Sequence, residues 1–115
     1  MRPVRVIAVL GLTIAAIGAC ALPVIRGDFL KVAKIKKGSR IAQAQCTLCH
    51  LPNGTKLNPF GTDVKKALTA VKSRSVNAAV LQKLAKLDSD KDKFANEKEW
   101  KADTLPGDPK SKPAK

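Results

Sequence analysis

The run Cys46-Thr47-Leu48-Cys49-His50 constrains this chain more than any other stretch. Two thiols three positions apart fall on one helical turn. From there each sulfur can close a thioether to a haem vinyl group while the adjacent imidazole lies under the iron. The same cysteines admit a dithiol redox pair, a zinc site or a structural disulfide. A thioredoxin-like pair is expected after a strand in a βαβ pattern, and zinc asks for two more ligands. His50 is the sole histidine and Cys20 the sole further cysteine. Covalent haem c held by Cys46 and Cys49, with His50 as proximal iron ligand, is therefore the reading the residues favour.

Size and aromatic content agree with a domain built around a cofactor. Once a leader is set aside, fewer than about 100 residues remain, a length at which apolar burial alone is marginal. Phe29, Phe60, Phe94 and Trp100 are the only aromatic residues, so a porphyrin would supply much of the missing flat packing. With two thiols given to haem and Cys20 left over, no disulfide framework is expected.

The charge asks for an acidic partner, since 22 Lys+Arg stand against 9 Asp+Glu for a net +13. Nucleic acid is disfavoured because no stacking aromatics alternate with the lysines and the N-terminus reads as an export signal. An acidic redox-partner protein fits better, the positive field steering transient encounters. Any single lysine also serves plain solubility.

Residues 1–27 read as a signal peptide or membrane anchor: a positive start, Met1 to Arg5, precedes an uncharged and mostly apolar stretch from Val6 to Ile25. Ile17-Gly18-Ala19-Cys20 resembles a bacterial lipobox, which would lipidate Cys20. Ala19-Cys20-Ala21 also fits small-x-small cleavage, and about 20 apolar residues suffice to span a bilayer uncleaved. Each fate puts the remainder outside the cytoplasm, in the periplasm or on the outer face of the cytoplasmic membrane. Residues 28–37 read as a basic linker, either solvated, or the domain's first turn, or laid along anionic headgroups through Val32 and Ile35.

Ser39 is a good N-cap, with Ile41, Ala42, Gln45 and Cys46 following at helical spacing. Residues 38–109, with Gly38 eight positions before Cys46 and the CxxCH run after a first helix, resemble the small single-haem c-type cytochromes of exported bacterial electron-transfer chains. The resemblance implies an all-α fold, compact and wrapped around haem. Leu51 to Gly61, dense in Pro, Gly and Asn, reads as a loop along the haem edge with Leu51, Leu57 and Phe60 in contact. Thr62 is expected to cap a helix bearing Val64, Leu68 and Val71, and Ser75 another bearing Val76, Val80, Leu84 and Leu87. Trp100 reads as a packing anchor, and residues 110–115 as a disordered basic tail.

Many single-haem carriers take a downstream methionine as sixth ligand, but here Met1 is the only one. An open or weakly ligated iron remains, or a deprotonated lysine such as Lys56, an Asn such as Asn58, or a group from another subunit.

A second constellation runs from Asp88 to Glu99. Asp88, Asp90, Asp92, Asn96 and Glu99 fall at positions one, three, five, nine and twelve, the spacing by which one turn gathers oxygen ligands around Ca2+. It resembles EF-hand-like and Asp-rich calcium repeats, and residues 102–109 resemble the tail that follows such repeats. Lys93 stands where the sharp turn wants Gly, and Lys91 adds a second cation. The competing expectation is a metal-free loop held by Asp–Lys pairing and caps.

No array of acid, base and nucleophile points to an enzyme. The expected function is electron transfer by a tethered haem protein. The alternatives are a haem subunit of a larger membrane electron-transport complex and a five-coordinate haem protein that binds small ligands.

Overall fold

The computed structural model describes residues 23–114. The leader, the lipobox reading and Cys20 lie outside the described residues. Five α-helices appear among the described residues, with no strand: α1 Pro23–Val32, α2 Arg40–Gln43, α3 Pro59–Val71, α4 Ala78–Ala85 and α5 Asn96–Lys101. The expected all-α class holds at that level. None of these helices is long and apolar enough to cross a membrane.

Of the stretch 28–37, read as a basic linker or the domain's first turn, residues 28–32 form the end of helix α1. Its Phe29 is buried and meets both Phe60 and Trp100 edge-on, with ring centroids 5.4 and 5.5 Å apart. Edge-to-face pairs of this kind add to the gain from area alone. The helix stops where Lys34 turns left-handed, φ 55°, and Ile35 N–H donates back to Leu30 C=O. That closure satisfies carbonyls the helix end would otherwise orphan.

Helix α2 is short because its start is fixed from two sides and its end is broken. Ser39 caps it through Ala42 N–H as expected, and the Asp103 carboxylate accepts from Arg40 N–H and Ile41 N–H. Gln45 then adopts φ 54°, and the chain re-enters as a tighter 3₁₀ turn, Gln45–Leu48, which carries the first cysteine. Ile41 and Leu48 are fully enclosed in the core.

Helix α3 begins at Pro59 rather than near Thr62. The Asn58 side chain accepts from Gly61 N–H, and Pro59 sits at the first helical position, where its missing N–H costs nothing. Thr62 instead lies in the first turn, donating to Asn58 C=O. Helix α4 is likewise capped by Asn77, not Ser75. Its Val80 and Leu84 join Val76, Phe60 and Trp100 in the core, while Leu87 stays 41% exposed and outside the stripe. Trp100 is buried, in keeping with an anchor. The tail is tied down further than expected: Ser111 Oγ accepts from Leu105 N–H, and Pro113 is buried.

Candidate functional site

The Cys46–His50 run is held between two backbone closures. His50 and Leu57 form an isolated antiparallel bridge, and Leu51 N–H donates to Lys56 C=O at 2.9 Å. Residues 51–56 thus form an exposed loop with a pinched base. Leu51 is 45% exposed and Phe60 lies in the core, so of the three apolar residues expected along the haem edge Leu57 alone faces the cavity described below.

Asn58 carries most of the positioning. It is buried; its Nδ2 donates to the carbonyls of Thr47 and Leu48 at 3.0 and 3.1 Å, and its Oδ1 accepts from Gly61 N–H at 2.8 Å. Its own N–H donates to Cys49 C=O at 2.8 Å. One side chain therefore staples the cysteine turn to the start of α3. Both polar atoms of its amide are thus engaged within the fold.

His50 is half-buried, and its Nδ1 lies 3.0 Å from Thr55 C=O. A carbonyl only accepts, so Nδ1 carries the proton and Nε2 is the nitrogen a metal would meet. Such a partner fixes both the tautomer and the orientation of a ligating imidazole.

Cys46, Cys49 and His50 line one cavity of about 640 Å³, together with Ile25, Leu57, Val64 and Leu68. That is within the usual range for a small-molecule or cofactor site, roughly 300–1,000 Å³. Arg26, Lys65, Lys72 and Arg74 add cations to the wall. A flat apolar ring carrying acidic substituents matches this lining: hydrocarbon walls, two sulfurs, one imidazole and positive charge. Lys56 is exposed in the 51–56 loop and does not line the cavity, whereas Lys65 and Lys72 do. A second depression of about 880 Å³, bordered by Val32, Leu81 and Trp100, contains neither thiol nor imidazole.

The two thiols are in different states. Cys46 is disulfide-bonded, contrary to the expectation that no disulfide forms, while Cys49 is a free thiol. They are therefore not bridged to each other. Burial pushes Cys49 up to about 11, with the Arg26 charge pulling the other way. A dithiol redox centre needs a depressed value and an exposed thiolate, so this environment disfavours the redox-pair reading.

In the second constellation, Asp88, Asp90 and Asp92 each place a carboxylate oxygen within 4.8 Å of the others. Asp88 accepts from Asp92 N–H and Lys93 N–H, which closes the turn. Lys91 and Lys93 adopt φ 59° and 77°, so the lysine at the sixth position does take the left-handed geometry expected of glycine. Asn96 does not join the cluster. Its Oδ1 accepts from Ser89 N–H, and its Nδ2 donates to Leu84 C=O and Ser89 Oγ, bracing the loop against α4. Ser89 Oγ also donates to Asp63 on α3 at 2.7 Å. The expected Asp–Lys pairing is absent: among the described residues the one ion pair is Lys101–Glu97.

Sequence reasoning missed Ile25 and Arg26 on the cavity wall, Asp103 under α2, and Asn58 as a staple. The dipeptide Asn58-Pro59 carried a readable signal for the last, a cap followed by a first-turn proline. The other three come from segments distant in the chain and leave no local mark. No protein family, curated protein or solved structure is matched by the chain, so the reading of this cavity stands on its Cys-Cys-His lining and geometry.

Proposed function

We propose that the chain is an exported electron-transfer protein of the c-type cytochrome kind, carrying one covalent haem between Cys46, Cys49 and His50. The observation that carries this reading is the convergence of two sulfurs and one tautomer-locked imidazole on an apolar cavity. A bound haem supplies reversible one-electron chemistry at iron. Everything else falls to the chain. Cys46 and Cys49 would hold the ring through thioethers, each S–H adding across one vinyl group. Since Cys46 is disulfide-bonded, a dithiol reductant would first have to supply two electrons and two protons to free its S–H, itself leaving as a disulfide. His50 offers Nε2 to the metal while Thr55 holds Nδ1. Val64, Leu57 and Leu68 keep water from the ring, and Arg26, Lys65, Lys72 and Arg74 neutralise its acidic groups and draw in an acidic partner.

A second reading has one observation in its favour. With Met1 and His50 the single methionine and histidine, the sixth position on iron has no strong resident ligand and would take a small exogenous one.

The test is expression of the full chain in a host with haem-attachment machinery, followed by intact-mass analysis and optical spectroscopy. Covalent haem in the parent, reduced attachment in Cys49→Ala, and a reversible one-electron couple are the expected results. A bare, folded polypeptide would overturn the proposal. Carbon monoxide bound by the reduced protein without displacing a ligand would favour the second reading.

A further inference from the structure

Three of the chain's nine acidic residues, Asp88, Asp90 and Asp92, converge in the turn between α4 and α5, and a fourth, Glu99, lies on α5 itself. Glu99 is completely enclosed, and neither of its carboxylate oxygens has a hydrogen-bond partner. Asp92 is 7% exposed with Oδ2 unpartnered, and Asp90 Oδ2 is also buried without a partner. An ionised carboxylate enclosed with nothing to pair it costs several kcal/mol, roughly, so such groups are either neutralised or matched by a cation. Lysines and arginines are abundant in this chain, 22 of them, yet among the described residues none pairs with these four.

The loop is built as though to leave those oxygens free. Asp90 and Asp92 each use Oδ1 to accept from a nearby backbone N–H, at 3.2 and 2.9 Å, and turn Oδ2 inward. Glu99 is near enough to the turn for the charges of Asp90, Asp92 and Asp88 all to act on it. Asn96 is spent on bracing, so it does not compete for the space.

We propose that Asp88, Asp90, Asp92 and Glu99 form a binding site for one calcium ion. All donors are hard oxygens, which selects a hard cation over zinc or copper. Carboxylates drawn from one flexible loop and one helix suit the larger, less directional Ca2+ shell better than the small octahedral one of Mg2+. Asp88, exposed at the mouth of the loop, gives the ion its way in. The site is independent of the haem reading and stands whether or not haem is attached.

The experiment is calorimetric titration of the chelator-treated full chain with CaCl₂, and separately with MgCl₂, alongside thermal melts. One calcium per chain and a raised melting temperature are expected, with magnesium weaker by about tenfold or more. Glu99→Gln replaces a buried, unpartnered carboxyl by a neutral amide of the same shape. It should fold at least as well as the parent without metal and lose the calcium response by at least about tenfold in affinity. Glu97→Gln, on the exposed side of the same helix and outside the cluster, should retain it. No calcium heat and no melting shift at millimolar ion would overturn the site, as would a Glu99→Gln protein that binds like the parent. An equal response to magnesium would overturn the choice of calcium.

Discussion

Gly61 lies so close against Cys49 that a β-carbon at position 61 would stand 2.0 Å from the Cys49 carbonyl oxygen. The first turn of α3 and Cys49 are thus packed backbone to backbone. No rotamer change relieves the overlap, because the obstructing atoms are main chain. Gly61→Ala should lower stability by about 1–3 kcal/mol and reduce the covalently haem-loaded fraction, measured by denaturant unfolding and intact mass. An alanine variant with parental stability and loading would show that the two segments do not approach this closely.

Asn58→Ala removes the staple from the other direction. Two carbonyls and one N–H lose their partners in a buried setting, and a cost of about 2–4 kcal/mol is expected in urea unfolding. Asn58→Asp should be intermediate, since the carboxylate still caps Gly61 N–H but cannot donate to Thr47 and Leu48.

Phe29→Ala tests whether α1 belongs to the domain. Its ring packs on Phe60 and Trp100, so a loss of about 3–5 kcal/mol is expected in the same assay. A mere tether between leader and domain would show no change.

Glu99 and Asp90 give metal-free protein an unusual pH profile. Burial first, then the charges of Asp90, Asp92 and Asp88, push Glu99 up to about 8. Burial first and then chiefly the charge of Asp92 push Asp90 up to about 7. Both carboxyls hold protons in the folded chain that they release when it unfolds, so their contribution to stability is complete below about pH 4 and is lost as pH rises through 7 and 8. In chelator, the melting temperature should fall between pH 5 and 9. Saturating calcium should flatten or reverse that slope, as read by thermal melts across buffers.

Lys93→Gly addresses the loop's strained turn. With φ at 77°, a residue without a β-carbon relieves a cost of order 1 kcal/mol, against a comparable entropic cost of fixing a more flexible chain on folding. Net stability should change little without metal, while calcium affinity rises by a few-fold as a nearby positive charge is removed.

The parts legible beforehand were those set by short-range chemistry. The Cys46–His50 spacing, the Ser39 cap and the Asp88–Glu99 periodicity are all local patterns, and each reappears as local geometry. Helix starts at Asn58 and Asn77 were misplaced by a few residues because Thr62 and Ser75 are equally good caps by type, and only tertiary packing chooses among them. The role of α1 was hidden because Lys31 and the lysines that follow the helix suggest a solvated stretch of chain, while the single buried ring of Phe29 decides its placement. Asn96 fitted a ligand position by number, yet its amide is taken by Ser89 and Leu84, a competition that spacing does not reveal. Asp103, sixty-odd residues from the helix it caps, has no counterpart in sequence pattern at all.

The bond from Ser89 to Asp63 joins the acidic turn to α3, and Asp63 is the immediate neighbour of Val64 on the cavity wall. A cation seated in the turn would pull on this tie and so act, through a single hydroxyl, as a tensioner on the pocket wall.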